Sequence, residues 1–150
     1  MTRDDELDIE ELLYRYADGV DRNDMATLEG VFTEDVTLDY GFGRVFEGRA
    51  QVLGLLADRL GTYAATSHHI SNVTVHVSGE EARAASYVYA WHQRRVDDGQ
   101  AQVWGRYDDL LRREAQGWRV SRRTIRAMGE QGFPPAEGRD TAFEPLSRKD

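Results

Sequence analysis

The chain has 150 residues with a net charge of −8, 40% hydrophobic and 31% charged residues, and no cysteine. That length fits one domain able to bury roughly two-thirds of its unfolded surface. The acidic balance argues against a phosphate backbone as partner, which needs a basic face, and the missing cysteines exclude disulfides, thiolate chemistry and Cys-bearing zinc sites. The N-terminal residues contain no apolar run that could serve as a signal peptide, and no stretch is long enough to span a bilayer, so a cytoplasmic protein is expected.

Ile9, Leu12, Leu13, Tyr16 and Val20 recur at helical spacing and predict an amphipathic helix from about Asp8 to Gly19, with Asp8 as its N-cap. Asp21 falls just past the end of that helix, where the last carbonyls disfavour a negative charge; either something holds it, or it is a solvated loop residue beside Arg22. Asp24 can cap a short second helix through Leu28 to Phe32. Val36 to Tyr40 alternates as a strand, Gly41-Phe42-Gly43 turns, and Arg44 to Phe46 returns as the hairpin partner. Gly48 introduces a third helix carrying Val52, Leu55, Leu56 and Leu60, and Gly61 stops it. Long strands follow over Thr66–Val77, Ala82–Val96, Gln102–Arg113 and Trp118–Met128. Phe133-Pro134-Pro135 breaks the pattern, leaving residues 134–150 as a polar tail behind a single domain over residues 1–133. Helices followed by a long antiparallel meander give an α+β fold: a cone-shaped, curved antiparallel sheet of about five or six strands packed on three helices and enclosing an apolar pocket.

Three of the four histidines, His68, His69 and His76, fall within nine residues, and His92 lies about one strand later. Imidazole exchanges protons near neutral pH at little cost, so this clustering points to proton transfer, although any one of these histidines also reads as a surface or core residue. Strand parity groups His69 with Val73, Val75 and Val77, a core-facing set, and leaves His68 with Ile70, Asn72 and His76. In the next strand His92 shares its face with Val88 and Ala90, opposite Tyr87, Tyr89 and Trp91; periodicity does not say which set lines the pocket. The histidine spacing is not that of a zinc site, and no metal or cofactor is expected.

Tyr16-Ala17-Asp18-Gly19-Val20-Asp21-Arg22-Asn23-Asp24, Leu38-Asp39-Tyr40, Thr66-Ser67-His68-His69-Ile70, Trp91-His92-Gln93-Arg94 and the Gly117-Trp118 turn stand in an order and spacing that resembles the SnoaL-like, ketosteroid-isomerase-like cone fold and, within it, scytalone dehydratase. The resemblance covers roughly residues 8–128. It implies Asp21 and His68 as an aspartate–histidine pair, Tyr40 as a carbonyl-polarising tyrosine and His92 as a second active-site histidine, and it selects His68 over His69; a bulge near Ser71 would reconcile that choice with parity. The chain departs from scytalone dehydratase at Val20, where that family has a second tyrosine, and at Gly105 and Tyr107, where it has serine and asparagine. These departures argue against scytalone itself as substrate.

Read physically, elimination of water beside a carbonyl needs a base, a donor for the developing enolate oxygen and an acid for the departing hydroxyl. His68 braced by Asp21, Tyr40, and His92 or the protonated His68 would supply them. Tyr16, Val20, Phe42, Tyr107 and Arg123 are expected around the substrate. Tyr16, Phe42 and Tyr107 read equally well as packing residues; of Arg122 and Arg123, on opposite strand faces, one could reach the cavity to bind an anionic group. The Asp-Asp pairs at 4–5, 97–98 and 108–109 read as solvated loops or strand edges. The implied activity is a cofactor-independent lyase acting on a small apolar or cyclic substrate. An isomerase or polyketide cyclase of the same fold, or a non-catalytic ligand-binding or dimerisation module, is the alternative. The aromatic face of Tyr87, Tyr89 and Trp91 predicts a homodimer or homotrimer.

Overall fold

The computed structural model describes residues 3–150. The first helix, α1 (Arg3–Asp21), begins earlier than its apolar periodicity, because Asp4, Asp5 and Glu6 suit the positive end of the helix dipole. Asp5 is not the solvated residue its neighbours suggest. It is buried, and Oδ1 accepts from the indole N–H of Trp118 at 3.1 Å and from Arg113 at 2.6 Å. The stripe Ile9, Leu12, Leu13, Tyr16 and Val20 is buried throughout.

Asp24 caps α2 (Met25–Glu29), its carboxylate accepting from the Thr27 amide at 3.1 Å. Strand β1 (Phe32–Asp39) and the short β2 (Val45–Glu47) form the expected hairpin, and α3 (Arg49–Gly61) follows Gly48, whose φ of 87° suits glycine. The strands β3 (Tyr63–Ser78), β4 (Glu81–Arg94), β5 (Gln100–Glu114) and β6 (Gly117–Gln131) form the antiparallel meander.

The sheet order is β2-β1-β6-β5-β4-β3, and β1 runs parallel to β6. The sheet is therefore mixed rather than wholly antiparallel. Alternation of side chains reports which face a residue takes but carries no information on strand direction, so this pairing was not legible. The long strands curve without closing, and the helices fill the concave side. The core there joins Ile9, Leu12 and Tyr16 of α1 to Val52, Leu56 and Leu60 of α3 and to Val88, Ala90, Val103 and Ile125 of the sheet.

Within residues 134–150, the stretch 142–146 folds back onto the domain. Glu144 O accepts from Ala127 N at 3.0 Å, and Leu146 N donates to Ala127 O at 2.8 Å, so the segment pairs with β6. Glu130 accepts from the amides of Ala142 and Phe143, and Arg44 donates to Ala142 O. Two apolar side chains, Phe133 and Phe143, stack edge to face at 5.3 Å and anchor it over the cavity. No helix among the described residues is long and apolar enough to cross a membrane.

Candidate active site

A cavity of about 80 Å³ opens between the sheet and the C-terminal halves of α1 and α3. Val20, Leu56, Leu60, Val88, Ala90, Val103 and Ile125 make most of its wall apolar, and Tyr16, Tyr40, Tyr63, His68, His92, Tyr107 and Arg59 supply the polar groups. Phe133 and Phe143 complete the lining from the C-terminal side.

Which histidine reaches this cavity is decided by a β-bulge. The register of β3 against β4 shifts between Ser71 and Thr74, and Asn72 within it takes a left-handed φ of 52°. Asn tolerates that conformation better than a β-branched residue would. Upstream, His68 and Ile70 point inward; downstream, Val75 and Val77 do. The extra residue resets parity, so both sets face the core. His69 lies on the outer face, where its Nε2 is 2.9 Å from Ser67 Oγ and its ring packs on Tyr89.

Asp21 is the last residue of α1, where the helix carbonyls oppose its charge. Strand β3 compensates. Oδ2 accepts from the His68 amide at 2.8 Å, and Oδ1 lies 2.8 Å from the Thr66 hydroxyl and 2.7 Å from His68 Nδ1. Burial would push this carboxyl upward, but the hydrogen bonds from the His68 side chain and backbone and from Thr66 outweigh it and hold it below the usual carboxylate range. An ionised Asp21 fixes Nδ1 of His68 as the protonated nitrogen. Nε2 is then the free lone pair. The His68 side chain is 8% exposed.

The His92 ring stands 5.3 Å from that of His68, edge to face, and is enclosed by Tyr63 at 4.7 Å and Phe133 at 5.2 Å. Its Nδ1 finds no hydrogen-bond partner among the described residues. Burial, reinforced by His68, lowers its pKa to about 4. At pH 7 this favours the neutral imidazole over the imidazolium, the form that would act as an acid. Tyr40, buried on the opposite wall, is pushed up to about 12 by burial and by Tyr16, so it remains a phenol able to donate.

Two residues expected around the substrate lie elsewhere. Phe42 sits in the β1–β2 turn at φ 54°, beneath the guanidinium groups of Arg44 and Arg139, and is absent from the cavity wall. Arg123 is the inward member of the Arg122–Arg123 pair, but Tyr16 and Tyr107 separate it from the cavity. Its guanidinium lies 4.2 Å and 4.1 Å from their ring centroids. Asp109 holds it through two bonds of 2.8 Å, with both side chains at most 1% exposed. Burial alone would lower the Arg123 pKa, yet Asp109 raises it, so the cation is permanent. Asp109 is thus a core residue rather than a strand-edge one, which periodicity could have signalled, since it shares its strand face with Val103 and Leu111.

Arg59, Tyr63, Val103, Ile125, Phe133 and Phe143 line the cavity without having been singled out by the sequence. Arg59 had a signal, because it falls seven residues after Val52 on the apolar stripe of α3. The two phenylalanines had none, since only the return of the chain over β6 brings them there. Among the described residues, no group of three or more His, Asp and Glu side chains is arranged to hold a metal ion.

Comparison with known proteins bears on family and fold. Residues 1–124 match the model of the SnoaL-like domain. The chain belongs to the SnoaL-like family. An uncharacterized protein of Mycobacterium tuberculosis, Rv2910c, is 31% identical over 125 residues, covering 79% of this chain and 82% of its own length. A provisionally designated scytalone dehydratase from Novosphingobium aromaticivorans superposes with a TM-score of 0.85 at 27% identity, over 95% of this chain and 93% of its own. A provisionally designated aromatic ring hydroxylase from the same organism gives 0.83 at 28% identity, over 89% and 96%. A SnoaL-like chain thus carries a cone fold whose structural neighbours include one designated a dehydratase.

Proposed function

We propose that this SnoaL-like protein is a cofactor-independent lyase that eliminates water beside a carbonyl in a small cyclic substrate. The observation that carries this reading is the 2.7 Å contact between Asp21 and His68 at the wall of a mostly apolar cavity. His68 Nε2 takes the α-proton as the C–H bond breaks, and the electron pair moves onto the carbonyl oxygen. Tyr40 donates a hydrogen bond to that oxygen as charge develops there. The enolate then collapses, the carbon–hydroxyl bond breaks, and the imidazolium of His68 returns its proton to the departing oxygen, releasing water. Asp21 stabilises the imidazolium without taking its proton.

Of the two acids the sequence left open, this assignment takes the protonated His68 and gives His92 another role. As a neutral ring beside His68, it orients the substrate by hydrogen bonding and helps to exclude water. A single acid–base group also favours a second reading, an isomerase or cyclase, because one imidazole suffices to lift a proton and replace it. Mass spectrometry of products from small cyclic β-hydroxy ketones separates the two: elimination removes one water, and isomerisation leaves the mass unchanged. Unchanged turnover of such a substrate by the H68A variant would sink both.

The outer face of the sheet exposes Tyr87, Trp104, Leu110 and Met128, each between 36% and 46% accessible. This face is the proposed contact between copies in a homodimer or homotrimer, and light scattering during size-exclusion chromatography measures it.

A further inference from the structure

Arg59 occupies the last turn of α3, where the helix carbonyls favour a cation. That explains the residue type but not the course of its side chain, which turns to the cavity and lies over the Tyr40 ring, 4.6 Å from its centroid. The other arginines near the site are committed. Arg123 is matched by Asp109, and Arg44 donates to the carbonyls of Tyr40, Gly41 and Ala142. The nearby carboxylate of Asp21 is occupied by Thr66 and His68. Among the described residues, Arg59 makes no ion pair within 4.0 Å. The cavity wall thus holds a fixed positive charge without a matching negative one, beside the phenol that would polarise a carbonyl.

We propose that Arg59 selects the substrate class: a small ring bearing a carboxylate or equivalent anionic group, bound at the guanidinium with the ring in the cavity. This rests on the cavity being the substrate site and deepens the reading above. A planar fork of N–H donors suits a carboxylate, and Tyr40 stacked against it holds the fork in place. A charge-assisted pair of this kind supports discrimination of roughly tenfold to a hundredfold against a neutral isostere.

The test uses benzoate and benzamide, which share ring and size but differ in charge, titrated calorimetrically into the full chain at pH 7.5 and low salt. Wild type binds benzoate at least tenfold more tightly than benzamide; R59Q brings the ratio to within twofold, and R59K keeps part of it. R59M serves where R59Q does not fold, as judged by thermal unfolding. Failure of wild type to bind benzoate, equal affinity for both probes, or a preference that survives R59Q and R59M overturns the inference. H68A separates it from the lyase reading, since that variant should keep the benzoate preference while losing turnover. Benzoate preference without any elimination activity removes the lyase reading alone. Elimination from neutral substrates that R59Q leaves unchanged removes the Arg59 assignment alone.

Discussion

Two carboxylates, half-buried Asp21 and buried Asp109, each hold a nitrogen group of another side chain, and they differ in what surrounds that group. Asp109 meets a guanidinium that cannot lose its proton, is sealed by Tyr16 and Tyr107, and is 1% exposed. Asp21 meets an imidazole, is 25% exposed, and leaves the far ring nitrogen of His68 turned to the cavity. The first pair is fixed in charge and closed to ligand. The second can change protonation and touch one. Burial of an ion pair is therefore a poor sign of chemistry by itself; access and a titratable partner are what separate the two.

The largest expected break in this contrast is at His68. H68A and D21N should each lower turnover by about 10²–10⁴-fold, as loss of general acid–base catalysis does, while circular dichroism and the thermal midpoint change little. At the other pair the outcome reverses. R123M leaves Asp109 buried and unpaired and should cost about 3–5 kcal/mol in denaturant unfolding, and the double variant D109V/R123M should recover much of that loss.

His92 sharpens the comparison through pH. Its folded pKa of about 4 lies below the ordinary histidine value of about 6.5, so between the two the unfolded chain binds the extra proton. This contribution to stability is present in full above about pH 6.5 and is lost as the pH falls toward 4, by roughly 2–3 kcal/mol. Unfolding of H92F and wild type across pH 7 to 4 should show the shallower slope in H92F; parallel slopes would mean that His92 titrates normally.

The smallest effect belongs to the bulge. Replacing Asn72, at φ 52°, by Ala should destabilise by about 1 kcal/mol, and by Gly much less. If N72A also lowers turnover, the bulge is setting the aim of His68 as well as the register.

Much of the fold was legible because local chemistry wrote it. The apolar stripe of α1, the Asp24 cap, the Gly48 start of α3 and the turns between the long strands each follow from side-chain period or backbone preference over a few residues. The motif order also identified His68, Asp21, Tyr40 and His92 as the residues to examine, and the structure brings three of them, with Tyr16, Val20 and Tyr107, to one cavity while Asp21 stands behind His68.

What only the tertiary structure decided involves contacts between distant parts of the chain. The parallel docking of β1 on β6 and the return of residues 142–146 onto β6 leave no mark in any short window, because each depends on a surface that exists only once the sheet has formed. The same cause removed Phe42 from the site and set the Tyr40 ring beneath Arg59. A sequence fixes which side chains an element presents; what they face is set by the neighbours that arrive from elsewhere.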